Sequence, residues 1–356
     1  VGEILSVIPL IEKLEKNKKI KQILITSNTL SSSKIISNLK LKKTIHQFFP
    51  IDNNYFTKRF IKYWNPHLAI FVESEIWPNM IKNLKKKSIK KILLNSRISK
   101  KSYKRWMLAK SFAKDLFQSF DYTFPQNTES KIHLKKLGVK KIKFIGNLKF
   151  AQNNLNKENL SPKFQKFINN KKFWCALSTH SGEEEICGSV QMKLLKKIKN
   201  LVLILIPRHV DRVENISREL SKLKLPVHIH SDKKSINKNT KIYIVDTYGE
   251  TNLFFNISKI VFIGKSLTSD GGQNPLDAAR GNCSILHGPN VSNFSEIYKF
   301  LGKLKISFKI NNQNQLNKKL EFLLTNKNKN SKIRDKINNI GKEILHKNSK
   351  EIVSII

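Results

Sequence analysis

The chain of 356 residues carries 67 Lys and Arg against 26 Asp and Glu, a formal charge of +41, with 39% apolar residues and 21 Phe. That apolar content builds globular cores rather than a disordered chain, and the length favours two domains. No apolar run approaches the ~18 residues of a membrane-spanning helix, and Cys175, Cys187 and Cys283 show neither paired nor metal-ligand spacing, so they read as reduced thiols with no metal site.

A charge this large suggests nucleic acid first and an anionic membrane surface second. The lysines, however, are spread along the whole chain among Asn and Ile, with no zinc-finger spacing and no aromatic RNA-binding signature. The pattern is a compositional bias laid over solvated faces. Nucleic acid is therefore not the expected partner.

In chain order, the opening VGEILSVIPLIEKLEKN has apolar residues at Ile4, Leu5, Ile8, Ile11 and Leu14, a helical period. Val1, Gly2 and Glu3 read as the turn leading in, and Pro9 marks a kink or the proper helix start. The chain opens on Val inside a functional-looking turn, which sets the expectation of a preceding segment. Short strands at 22–27, 68–72, 91–94, 121–124 and 142–145 alternate with helical stretches. That alternation predicts an α/β fold with a parallel sheet covered on both faces. Residues 152–161 turn polar and read as a linker.

The second half repeats the pattern, with strands at 173–177, 201–206, 227–230, 242–245, 260–263 and 284–287, then closing helices at 318–324 and 331–348. The stretch IVFIGKSLTSDGGQNPLDAARGNCSILHGP stands out. A buried strand leads to Gly271-Gly272, Asn274 caps a short helix with Pro275 at its first position, and Gly281 stops it. Such a turn presents N–H groups to an anion.

In open parallel sheets ligands bind beyond the carboxyl ends of the strands, and the distinctive polar residues fall there. Glu3, Glu73, Glu75, Asn95, Arg97, Asn147 and Lys149 do so in the first half. Ser178, Thr179, His180, Arg208, His209, Asp246 and the loop from Gly271 to Asp277 do so in the second. Singly, each has an ordinary structural explanation. Glu183, Glu184 and Glu185 read as a solvated first turn, and His180 and His209 as structural histidines. Together, carboxylates on one domain and Arg, His and a glycine turn on the other suit group transfer from an anionic nucleotide-linked donor. No G-x-G-x-x-G, Walker loop or G-x-S-x-G elbow is present.

The ordered succession VGE, VESEIWPN, NSRISKKSYKRW, GNLKF, STHSGEEE, LILIPRH, DTYGE, GGQNPLDAA and GPNVSNF, from residue 1 to about Phe294, closely resembles the 3-deoxy-D-manno-octulosonic acid (Kdo) transferases of lipopolysaccharide synthesis. The resemblance implies a GT-B fold, two Rossmann-like domains with parallel sheets facing a central cleft. The expected division is an acceptor domain over 1–150, a donor domain over 151–330 and a C-terminal helix over 331–356. It implies inverting transfer of Kdo from CMP-Kdo to the lipid A precursor (lipid IVA), with no cofactor and no nucleotide-bound metal. It also implies residence at the cytoplasmic face of the inner membrane, where an N-terminal anchor is usual and the lysines meet anionic lipid.

Carried over residue by residue, the resemblance makes Glu3 the general base that deprotonates the acceptor hydroxyl, a role that needs its pKa raised. Glu73 and Glu75 would hold acceptor or sugar. Arg208 and His209 would bind the CMP phosphate or the Kdo carboxylate. Lys149, Ser178, Thr179 and His180 would line the sugar, Gly271, Gly272 and Asn274 would present the helix end to phosphate, and Asp277 would hold the ribose hydroxyls. The chain departs from the family at Lys265 (usually Gly), Gln273 (usually His), Asp277 and Ala278 (usually Glu and Pro) and Ala151 (usually Asp). Two rivals remain: a nucleotide-sugar epimerase on the same fold, and a basic nucleic-acid-binding module.

Overall fold

The structure, a computed structural model, describes residues 2–152, 160–326 and 332–356. Most of the expected linker at 152–161 lies outside the described residues, as does Ser331. The chain divides into two compact units, Val1–Asn153 with Asn338–Ile356, and Asn154–Ile337.

The first unit begins with the helix Gly2–Glu15, which continues through Pro9. Glu3 therefore sits in a helical first turn, not in a turn before the helix. Strands β1 (Ile23–Ser27) and β2 (Thr44–Phe48) pair in parallel, and β3 (Leu68–Val72), β4 (Lys90–Ser96) and β5 (Tyr122–Pro125) form a parallel sheet in that order. Alternation along β4 sends neighbours to opposite faces. Ile92 and Leu94 join Val7, Leu10 and Leu14 of the first helix, while Leu93 joins Ile81, Leu84, Phe117 and Leu134. Ile92 and Leu93 are 0% exposed, and full burial of each such side chain stabilises by about 1.5–3 kcal/mol.

The last helix, Ile333–Ile355, contributes Ile344, Ile352 and Ile355 to the core that holds Ile92 and Leu94. It lies tightly on the 3-10 turn Leu148–Ala151: a Cβ on Gly341 would stand 2.1 Å from the carbonyl oxygen of Phe150. From Asn338 onward this helix is thus part of the first unit.

Two strands were not expected. β2, of sequence TIHQF, has no apolar alternation, and pairs only with β1. β12 (Ser307–Lys309) is a three-residue edge strand. Conversely, the stretch 142–145 makes a single bridge, Thr123 to Ile142, before Gly146 turns the chain at φ +123.

The second unit is one seven-stranded parallel sheet, ordered β12-β11-β10-β6-β7-β9-β8. Its remaining strands are β6 (Lys172–Thr179), β7 (Leu201–Pro207), β8 (Val227–Ile229), β9 (Ile242–Ile244), β10 (Ile260–Ile263) and β11 (Ser284–His287). Every residue of β7 is buried, as expected of a strand covered on both faces. From β6 the chain builds outward through β7 and then returns to lay β10 on the other side of β6. The switch point, where such sheets bind ligands, lies between β6 and β10.

Candidate active site

In the first unit the predicted residues gather at the carboxyl ends of β3 and β4. Glu73 follows β3 with φ +54, and Asn95 near the end of β4 has φ +49. This left-handed conformation is uncommon for non-glycine residues and is worth roughly 1–2 kcal/mol of strain. It re-aims both side chains away from the strand's alternation. Glu73 is 3% exposed. Its Oε1 lies 2.7 Å from Lys149 Nζ and 3.4 Å from Asn95 Nδ2, and Asn95 Oδ1 accepts the Leu148 N–H at 3.0 Å. Asn147 Oδ1 accepts the Lys149 N–H, which fixes the turn that carries the lysine. Glu75 Oε2 accepts the indole N–H of Trp77 at 2.7 Å.

Glu3 completes this group. Burial, then the carboxylates of Glu73 and Glu75, hold its pKa above the ordinary glutamate value, with Lys149 opposing them. A half-buried carboxyl raised in this way holds a proton more tightly than an ordinary glutamate, the direction that makes a carboxylate a better base.

In the second unit the residues gather around the switch point. Ser178 (φ +50), Thr179 and His180 end β6, Arg208 and His209 follow β7, and Gly264 and Lys265 (φ +56) follow β10. Arg208 donates its backbone N–H to the Thr179 carbonyl, and the His180 and His209 rings meet edge to face at 5.6 Å. Burial first, then the charges of Lys265, His209 and Arg208, keep the His180 pKa below the usual histidine value, against Glu183. Gly264 is required by close approach: a Cβ there would stand 2.6 Å from the Ser178 carbonyl oxygen. Position 265 is left-handed, so its lysine carries strain that a glycine there would avoid.

Gly272 donates to the Lys265 carbonyl at 3.0 Å, and Asn293 donates to the Gly271 carbonyl at 3.1 Å. Asn274 Oδ1 accepts the Leu276 N–H at 3.2 Å, and the helix runs Leu276–Arg280. Asp277, expected at the ribose, pairs with Arg280 at 2.9 Å.

Two residues were read wrongly. Glu183 and Glu184 are not solvated, at 0% and 2% exposed, and only Glu185 of the three faces water. The Glu183 carboxylate accepts four backbone N–H groups, from His180, Lys265, Ser266 and Leu267, at 2.7–3.0 Å. It ties the end of β6 to the loop after β10 across the switch point. Three of these donors lie more than 80 residues away in sequence, so no local signal marked the residue. Glu184, raised by burial, pairs with Arg212 at 3.2 Å.

Another feature of the first unit was not anticipated. The helix Asn54–Trp64 exposes Tyr55, Phe56 and Tyr63 beside the exposed Lys58, Arg59 and Lys62, and a groove of about 630 Å³ runs along it. Ile51, before the helix, is 72% exposed.

Residues 1–152 match the family model described as 3-deoxy-D-manno-octulosonic-acid transferase (kdotransferase). The 3-deoxy-D-manno-octulosonic acid transferase of Rickettsia felis is 36% identical over 330 residues, covering 92% of this chain and 70% of the relative. The chain belongs to the Kdo transferase family. The Haemophilus influenzae Kdo transferase agrees, at 30% identity over 98% of this chain and 82% of its own. As a Kdo transferase, the chain is a glycosyltransferase that adds Kdo in lipopolysaccharide biosynthesis.

Among solved structures, the UDP-GlcNAc 2-epimerase from Neisseria meningitidis bound to UDP-GlcNAc aligns over 99% of this chain and 96% of its own, with TM-score 0.64 and 14% identity. A trehalose 6-phosphate synthase from Burkholderia multivorans aligns over 85% and 72%, with TM-score 0.53 and 13% identity. At such identities they show the fold alone. That fold is GT-B, with two Rossmann-like domains.

Proposed function

We propose that this Kdo transferase moves Kdo from CMP-Kdo to a hydroxyl of the phosphorylated lipid A precursor (lipid IVA), with Glu3 as general base. The observation that carries the reading is the Glu3 group: a half-buried carboxyl raised by burial and by Glu73 and Glu75, next to the buried Glu73–Lys149 pair. The Glu3 carboxylate takes the acceptor hydroxyl proton. The freed oxygen attacks the anomeric carbon of Kdo from the side opposite the phosphate, the bond to the CMP oxygen breaks, and the configuration inverts. Glu73, Glu75 and Lys149 hold the acceptor and sugar hydroxyls.

The second unit takes the donor. Arg208 and His209 meet its phosphate or carboxylate, as a guanidinium directly after a central strand suits a planar bidentate anion. Gly271, Gly272 and Asn274 present backbone N–H groups, Ser178, Thr179 and His180 line the sugar, and Asp277 reaches the ribose. Charge on the departing CMP is met by these fixed groups, and the reading assigns no metal or cofactor.

The reading also places the enzyme at an anionic membrane surface, the cytoplasmic face of the inner membrane. Support comes from the exposed aromatics and cations of Asn54–Trp64: Tyr rings favour the headgroup layer, and lysines favour anionic lipid. Among the described residues no helix is long and apolar enough to cross a membrane.

The test is incubation of the protein with CMP-Kdo and lipid IVA, with products read by mass spectrometry and EDTA as the metal control. Absence of both transfer and donor hydrolysis refutes the reading. A melting temperature raised by UDP and not by CMP would favour the epimerase alternative.

A further inference from the structure

The loop after β10 holds a lysine in a place its backbone does not favour. Lys265 has φ +56 and is fixed at both ends, its N–H donated to Glu183 Oε2 at 2.7 Å and its carbonyl accepting the Gly272 N–H at 3.0 Å. The same Glu183 oxygen accepts the His180 N–H at 3.0 Å, so Lys265 and His180 share one anchor across the switch point. The Glu183 carboxylate is engaged by four backbone N–H groups. Arg208 and His209 follow β7, Lys265 follows β10, and the His180 and His209 rings meet at 5.6 Å, which brings two cationic side chains and two imidazoles to the carboxyl ends of β6, β7 and β10. Glycine would fit the backbone here without strain, and strained residues retained at ligand sites commonly serve the ligand.

We propose that Lys265 is an anion-binding, specificity-determining residue of the donor site, adding a second fixed positive charge beside Arg208 and the His209 ring for the phosphate or carboxylate of the donor sugar nucleotide. The inference rests on the second unit's taking the donor. It makes the donor affinity of this chain more salt-sensitive than a glycine at 265 would allow.

The experiment compares the full chain with Lys265→Gly, Lys265→Met and Lys265→Arg, using CMP and CMP-Kdo as the probes. Gly suits the left-handed backbone, so that variant is expected to fold, and thermal melts check it. Gly and Met alike should raise the KM for CMP-Kdo by about tenfold, the loss expected for one hydrogen bond to a charged group; Arg should retain the wild-type KM. Weakened CMP binding in the same variants assigns the phosphate, whereas unchanged CMP binding with raised KM assigns the carboxylate. An effect confined to Gly marks a backbone role and overturns the proposal. So does a wild-type KM in both Gly and Met while the wild type binds CMP and transfers Kdo. A wild type that binds neither CMP nor CMP-Kdo would instead remove the donor reading beneath it.

Discussion

Lys149 Nζ stands 2.7 Å from Glu73 Oε1, with the two side chains 12% and 4% exposed. A pair this buried loses hydration on both sides and contributes little net stability as a pair, but removing one partner leaves an uncompensated buried charge. Lys149→Met should therefore destabilise the protein by about 3 kcal/mol, measured by urea unfolding. The double variant Glu73→Gln/Lys149→Met should recover most of that loss. Strict additivity of the two single effects would refute the coupling.

The same pair bears on the pH dependence of catalysis. A base must be ionised to act, and the Glu3 pKa is raised by burial and then by Glu73 and Glu75. Activity should rise with pH through a value above the ordinary glutamate range, in kcat/KM profiles that report the free enzyme. Glu75→Gln removes a raising charge and should move that limb to lower pH. Lys149→Met removes a lowering charge and should move it to higher pH. Glu3→Ala should reduce kcat by roughly 10²–10⁴-fold and leave CMP affinity unchanged. Loss of CMP binding in Glu3→Ala would remove Glu3 from the base role.

What the sequence showed and what it hid have separate physical causes. The apolar run at Ile260–Ile263 and the whole of β7 were legible because strands buried on both faces have a continuous apolar signature. The strand ends then located Glu73, His180 and Arg208 without knowledge of any contact. β2 escaped because its side chains alternate without an apolar face, and β12 because three residues carry no period. Glu183 escaped for a different reason. Its neighbours Lys265, Ser266 and Leu267 are more than 80 residues away in sequence, and a carboxylate in a first helical turn looks the same whether it meets water or four N–H groups. Likewise the pairing of Glu73 with Lys149 depends on two left-handed residues, at 73 and 95, that no propensity predicts.

The role of Glu183 gives a sharp stability prediction. Glu183→Ala leaves four N–H groups without their acceptor at a 0% exposed position. With each buried orphan costing about 1–3 kcal/mol before relaxation, the loss should exceed about 3 kcal/mol in a denaturant titration. Glu183→Gln keeps one accepting oxygen and should lose less. CMP affinity should fall in both, since the end of β6 and the loop after β10 lose their common tie. Wild-type stability in the alanine variant would show that the four contacts are dispensable.

Attachment to a membrane surface is testable on exposed residues, whose replacement leaves the core intact. Tyr55 and Tyr63 are 66% and 79% exposed, and Lys58, Arg59 and Lys62 lie on the same helix with no acid among them. Each Lys or Arg near an anionic bilayer contributes about 1 kcal/mol, fading within a Debye length. Lys58→Glu/Lys62→Glu should thus lower binding to phosphatidylglycerol vesicles by at least about tenfold at low salt, with little change at high salt. Tyr55→Ser/Tyr63→Ser should weaken binding at every salt concentration, because ring burial in the headgroup layer is not screened. Sedimentation with vesicles of graded phosphatidylglycerol content separates the two. Equal binding by wild type and both double variants would move the contact surface away from this helix.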